Sequence, residues 1–231
     1  MAVDDSYTKL LLHCNGTDGS TTITDEAGKT VTPNGNAQID TAQSKFGGAS
    51  LLLDGAGDYL SIPDSDDWQL DGGSNSNEWT IDFWVRFGSV SSNQYILSQA
   101  VDASNRWGLV YVSSTTQLRF FINSSGSSIV EINNSWSPSI NTWYHVAVVK
   151  QGTTGYKFFV NGAQIGTTQT DTDVIPNFAA ALQVGAYSTV YMTGWIDELR
   201  VSKGIARWTT NFAPPDREYP LPLFVPQVIW M

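Results

Sequence analysis

The chain has 231 residues with 22 Asp or Glu against 12 Lys or Arg, a formal charge of −10, and 41% hydrophobic against 15% charged residues. That balance supports one substantial core and lies outside the signature of disorder. The acid excess opposes the counterion release that nucleic-acid binding uses and disfavours anionic lipid, so neither nucleic acid nor a membrane is expected as a partner. One cysteine, Cys14, and two histidines, His13 and His145, assemble neither an internal disulfide nor a zinc site.

The N-terminal MAVDDSYTKLLLH places two acids ahead of a three-leucine run, so it lacks the basic region and long apolar core of a signal peptide. No stretch approaches the ~18 apolar residues of a membrane span. Downstream, short runs rich in Val, Ile, Thr, Tyr, Phe and Trp alternate with Gly, Asn, Ser and Asp clusters, with no sustained 3.6-residue period. Strands are predicted at 9–13, 50–53, 59–62, 79–87, 94–100, 106–113, 117–123, 128–133, 143–150, 156–160, 164–168, 182–186 and 194–201. Open sheets rarely exceed ~10 strands without splitting, so the fold class is all-β, a sandwich of two antiparallel sheets.

Between the strands at 59–62 and 79–87, the acidic, Gly/Ser-rich DSDDWQLDGGSNSNE reads as a solvated connection. It lacks the glycine and terminal glutamate of an EF-hand. In 79–87, Trp79, Ile81, Phe83, Val85 and Phe87 share one face, and Thr80, Asp82, Trp84 and Arg86 the other. Nine tryptophans and nine tyrosines exceed the needs of such a core, and sugars are held by aromatic faces beside polar groups. Trp84, Asp82 and Arg86 are therefore the candidate glycan-binding residues; the alternative is that a neighbouring loop covers that face. WYHVAVVK at 143–150 is apolar on both faces, which places His145 in or beside the core. Asn161-Gly162 predicts a type I′ hairpin, because that turn needs positive φ at both central residues.

On the last strand, Asp197 and Glu198 are adjacent and should point to opposite faces, with Asp197 beside Trp195, Leu199 and Val201. A charge there needs a partner, such as backbone N–H groups or an arginine. After Pro214-Pro215 the composition changes. The tail PLPLFVPQVIWM carries three prolines and no charge, so it forms no helix and only a broken edge strand. The expected division is a sandwich over 1–212 and an extended arm over 213–231. Leu221, Leu223, Phe224, Val225, Val228, Ile229 and Trp230 form an apolar strip expected to dock on another copy of the chain or on a partner protein.

Five stretches coincide in order: LLLHCNGTDGSTTITDEAGKTVTPNG, SKFGGASLLLDGAGDYLSIPDSDDW, EWTIDFWVRF, NTWYHVAVVKQGTTGYKFFVNGAQIG and GWIDELRVSKGIARW. Together they resemble the laminin-G-like, concanavalin A-like lectin/glucanase superfamily, which implies a jelly-roll sandwich. SKFGGASL and IDELRVSKGIARW resemble copies carried on virion proteins of tailed bacteriophages. The resemblance implies a structural Ca²⁺ between Asp197 and backbone carbonyls near HCNGTD, where Asn15 stands at a position many relatives fill with Asp. No catalytic residue is expected. The Glu-x-Asp-x-x-Glu run of the superfamily's glucanases is missing, Glu78 reads as a loop residue, and neither histidine lies beside a Gly-x-Ser-x-Gly elbow. The resulting expectation is a non-catalytic structural protein of a phage particle, on capsid or tail, with glycan adhesion as a second role. A free carbohydrate-binding lectin is the alternative, ahead of a glycoside hydrolase.

Overall fold

A computed structural model describes residues 5–153 and 155–221. The strands in chain order are β1 (Thr8–Leu12), β2 (Thr32–Asn34), β3 (Gln38–Asp40), β4 (Ser50–Asp54), β5 (Tyr59–Ile62), β6 (Trp79–Phe87), β7 (Gln94–Ala100), β8 (Arg106–Val112) and β9 (Gln117–Ser124). They continue as β10 (Ser127–Ser135), β11 (Trp143–Gln151), β12 (Gly155–Val160), β13 (Ala163–Thr170), β14 (Leu182–Val184), β15 (Ala186–Tyr187), β16 (Val190–Tyr191) and β17 (Thr193–Lys203). One sheet has eight strands in the order β13-β12-β11-β6-β17-β4-β3, with β1 also on β17, and the other has seven in the order β10-β9-β8-β7-β14-β5-β2. All the pairings are antiparallel, as the sandwich reading expects.

Alternation explains which side chains meet between the sheets. Along β6, Ile81, Phe83, Val85 and Phe87 are all fully buried and belong to the main core. Leu109 of β8, Phe120 of β9, Phe158 of β12 and Leu199 of β17 join them. Asn161 and Gly162 adopt φ of 49° and 76°, so the predicted hairpin joins β12 to β13. A side chain at Gly162 would also strike the Phe212 carbonyl.

Two expectations are corrected. The 64–78 segment is not a solvated connection: it holds a 3₁₀ turn at Asp66–Trp68, and Trp68, Leu70 and Asp71 are fully buried. Trp68 and Leu70 enter the main core, and the Asp71 carboxylate accepts from Ile175 N and Gly73 N. The second correction concerns β17, where the pairing with β6 shifts between Asp197 and Arg200 and Glu198 takes φ 52°. This bulge breaks the period of two, so Asp197 does not share a face with Leu199 and Val201, which lie in the core.

Candidate functional site

The face carrying Asp82, Trp84 and Arg86 is covered. After β17 the chain turns back across the eight-stranded sheet: Thr80 Oγ1 donates to Ile205 O, Arg207 N donates to Thr80 Oγ1, and Phe212 N donates to Gly162 O. Trp208 and Phe212 stack at 4.2 Å, both edge-on to His145, and Phe212 also meets Phe159. His145 is fully buried, as expected, beneath this layer. Asp82 is fully buried too and takes Arg200 through Nε at 3.1 Å and Nη2 at 3.0 Å. Tyr219 Oη donates to Asp82 Oδ2 at 2.5 Å. Burial alone would push the Asp82 carboxyl up, but Arg200 and His145 override it and hold it at about 2. Trp84 is 5% exposed, edge-on to Phe46, with Lys45 Nζ over its ring at 4.0 Å. Arg86 lies farther along, donating to Asn141 and stacked on Trp195. The three residues therefore share no open groove, because the returning segment and the 45–46 loop occupy their face.

The bulge in β17 marks a change of neighbour. Its first half pairs with β4 through Ile196 and its second half with β1 from Leu199 onward, so Asp197 and Glu198 fall in the gap. Asp197 Oδ2 fills it by accepting from Lys45 N at 2.8 Å and Phe46 N at 3.1 Å. Glu198 accepts from Tyr219 N and meets His13 Nδ1 at 2.6 Å. Burial opposes a charge on His13, but this carboxylate outweighs it and raises the imidazole above its usual value. Burial raises the Asp197 carboxyl as well, to about 7.

Calcium fits this gap poorly. Asp197 Oδ1 is buried without a hydrogen-bond partner, which suits a cation. Ca²⁺ takes roughly six to eight oxygens, however, and the neighbours are committed elsewhere. Asp197 Oδ2 and both Glu198 oxygens are taken and Asn15 Nδ2 donates to Glu218, which leaves Asp197 Oδ1 and the Asn15 amide oxygen as the side-chain oxygens for an ion. Those two side-chain oxygens alone fall short of the coordination the ion needs.

The outer face of the seven-stranded sheet is different. Register aligns Arg106 with Asn123, then Gly108 with Phe121 and Glu131, then Val110 with Arg119 and Asn133. Phe121, Tyr95 and Val110 form a small buried cluster there, flanked by Tyr187 and Val190 of the β15–β16 hairpin. Ser98 Oγ, donating to Ala186 O, ties that hairpin down. A Cβ at residue 108 would lie 2.8 Å from Phe121 Cε1, so only glycine lets the ring lie flat against the sheet. Arg119 Cζ sits 4.7 Å from the Phe121 centroid, and Arg106 Cζ lies 5.1 Å from Phe121 and 4.2 Å from Tyr187. Arg119 pairs with Glu131 at 2.9 Å, and Asn133 Nδ2 donates to the same carboxylate. The result is an aromatic floor with guanidinium, amide and carboxylate groups half-buried or exposed around it. Sequence reasoning missed this set. Its signal was the alternation in RWGLVYV, where Trp107, Leu109 and Tyr111 enter the core and Arg106, Gly108 and Val110 face away.

Two antiparallel sheets packed face to face make this a concanavalin A-like β-sandwich. The chain belongs to the concanavalin A-like lectin/glucanases superfamily, whose model matches residues 54–207. No curated protein matches it in sequence. Among solved structures it resembles the receptor-binding domain of botulinum neurotoxin C/D mosaic serotype, with TM-score 0.64 and 15% identity over 87% of this chain and 49% of that one. A botulinum neurotoxin DC binding domain, solved with rat synaptotagmin II, matches with TM-score 0.63 and 16% identity over 88% of this chain and 50% of that one. The chain thus spans about half the length of these toxin domains. Domain 4 of AbnA, a GH43 extracellular arabinanase from Geobacillus stearothermophilus in complex with arabinotriose, has TM-score 0.62 and 22% identity, covering 87% of this chain and 95% of that one. At such identities the likeness shows the fold.

Proposed function

We propose that this chain is a non-catalytic carbohydrate-binding domain that presents the outer face of its seven-stranded sheet to a saccharide. The observation that carries this is the half-buried Tyr187 ring, seated beside the buried Phe121 and Tyr95 and bordered by Arg106, Arg119, Asn123, Asn133 and Glu131. Sugars pack their C–H faces on aromatic rings and exchange hydroxyl hydrogen bonds with side chains of these types. The arabinotriose complex of AbnA domain 4 supports the reading as a precedent on the same fold. A structural role for the acids at and before β6 supports its non-catalytic half: Glu78 accepts from Gly152 N and Ala206 N, and Asp82 is held by Arg200. The test is a glycan array followed by calorimetry on its hits. Tyr187→Ala should weaken binding about tenfold, the loss of one aromatic contact. Failure of the folded wild-type protein to bind any saccharide overturns the proposal.

A second reading places the domain on a phage particle, attached through its arm. SKFGGASL and IDELRVSKGIARW support it, as does Leu221, the last described residue, which is 54% exposed. Leu223, Phe224, Val225, Val228, Ile229 and Trp230 lie outside the described residues. Mass spectrometry of purified particles decides this reading: absence of the chain overturns it.

A further inference from the structure

Resting on that sugar-binding reading, we propose that the saccharide is acidic and that Arg106 receives its carboxylate. Among the described residues, no ion pair includes Arg106 and no side chain or carbonyl accepts from it. That is unusual for a half-buried guanidinium in a chain with 22 acids and 12 bases. Arg119, on the neighbouring strand over the same Phe121 ring, shows the ordinary solution in its pairing with Glu131.

The Arg106 guanidinium lies against Tyr187 and Phe121, its Cζ 4.2 and 5.1 Å from their ring centroids. Its Nε is sealed without a partner, which leaves the Nη edge as the part a ligand reaches. That edge is a rigid planar fork matched to a carboxylate, and the aromatic contact holds it oriented before a ligand arrives. Tyr187 sits beside it to meet a sugar ring. The Tyr95 hydroxyl makes no hydrogen bond to a described residue, and burial, opposed by Arg106 and Arg119, raises its pKa, so it stays a neutral donor. The overall charge of −10 does not forbid an anion here, because at physiological salt charges beyond ~8 Å are screened, Glu131 is already paired with Arg119, and the Asp102 carboxylate accepts from Ser104 N and Asn105 N.

The experiment compares by calorimetry a galacturonate oligosaccharide, an uncharged cello-oligosaccharide of equal length and a sulfated oligosaccharide, with wild type, Arg106→Lys and Arg106→Met. Wild type should bind the uronate about tenfold more tightly than the neutral ligand, an advantage that shrinks as salt rises. Arg106→Lys keeps the charge without the fork and should lose most of that preference, and Arg106→Met all of it, with thermal midpoints confirming that both fold. Equal wild-type affinity for uronate and neutral ligand overturns the acidic-ligand proposal and leaves sugar binding standing. Absence of any saccharide binding overturns both. A sulfated ligand bound more tightly than the uronate, or Arg106→Lys as selective as wild type, overturns the carboxylate fork.

Discussion

Arg200 grips Asp82 side-on through two nitrogens, and Tyr219 closes over the pair, its ring centroid 3.8 Å from the Arg200 guanidinium carbon. Two strands of one sheet and the returning chain are thus joined at one buried carboxylate. Removing one member of such a pair strands the other charge in the interior, at a cost of about 3–5 kcal/mol. Asp82→Ala should lower stability by that amount in urea denaturation at neutral pH.

The same carboxylate sets an acid limit. Its folded-state value, about 2, lies below the usual 3.8, so its contribution is complete above about pH 4 and is lost as pH falls through about 2. The shift corresponds to about 2 kcal/mol. Denaturation followed across that acid range should show the loss in wild type and a flatter profile in Asp82→Asn.

Asp197 has the opposite sign. Its carboxyl is raised from 3.8 to about 7 in the folded protein, so the native state holds the proton more tightly and stability falls as pH rises between those values. In Asp197→Asn that decline should shrink by on the order of 4 kcal/mol. A chelator should leave the wild-type melting temperature unchanged. A drop with chelator that calcium reverses would show that the gap does take the ion.

Gly108 supports the proposed binding face from beneath. A methyl group there meets Phe121 at 2.8 and 3.0 Å and Tyr95 at 3.4 Å, with Arg106 and Arg119 above the Phe121 ring. Gly108→Ala should cost about 1–3 kcal/mol by overpacking. It should also weaken saccharide binding, read by calorimetry under conditions where the variant remains folded.

The returning segment supplies one wall of a second, smaller core of Ala147, Val149, Phe159, Trp208 and Phe212. A chain ended at Gly204 should therefore be less stable than one ended at Tyr219 by more than about 3 kcal/mol, since burying one large apolar side chain contributes about 1.5–3 kcal/mol. Paired melting curves of the two chains check this.

Long strands were legible because alternation over seven to nine residues, as in Trp79–Phe87, leaves little ambiguity of face. Pairs such as Val190–Tyr191 and triplets such as Gln38–Asp40 are too short to show a period. The bulge at Glu198 was hidden for another reason: its cause is the hand-over from β4 to β1, a long-range event that no local pattern records. Asp82 and Arg86 were correctly separated from the core face. What covers that face comes from Trp208 and Phe212, remote in sequence, so an apparently open surface became an interior one. Arg106 and Arg119 were passed over because their joint position depends on the register of β8 with β9.

The placement of β17 also orders the folding of the chain in time. This strand lies between β6 on one side and β4 and β1 on the other, so nothing closes the eight-stranded sheet until Thr193–Lys203 has been synthesised. Before then the β6 edge and the β1 and β4 edges are unpaired templates, with Leu10, Leu12 and Phe83 exposed. Closure of such distant partners is slow, on the scale of milliseconds to seconds. A ribosome stalled just short of this strand would hold an open, aggregation-prone half-sandwich, and emergence of the whole strand would be needed to close the sheet.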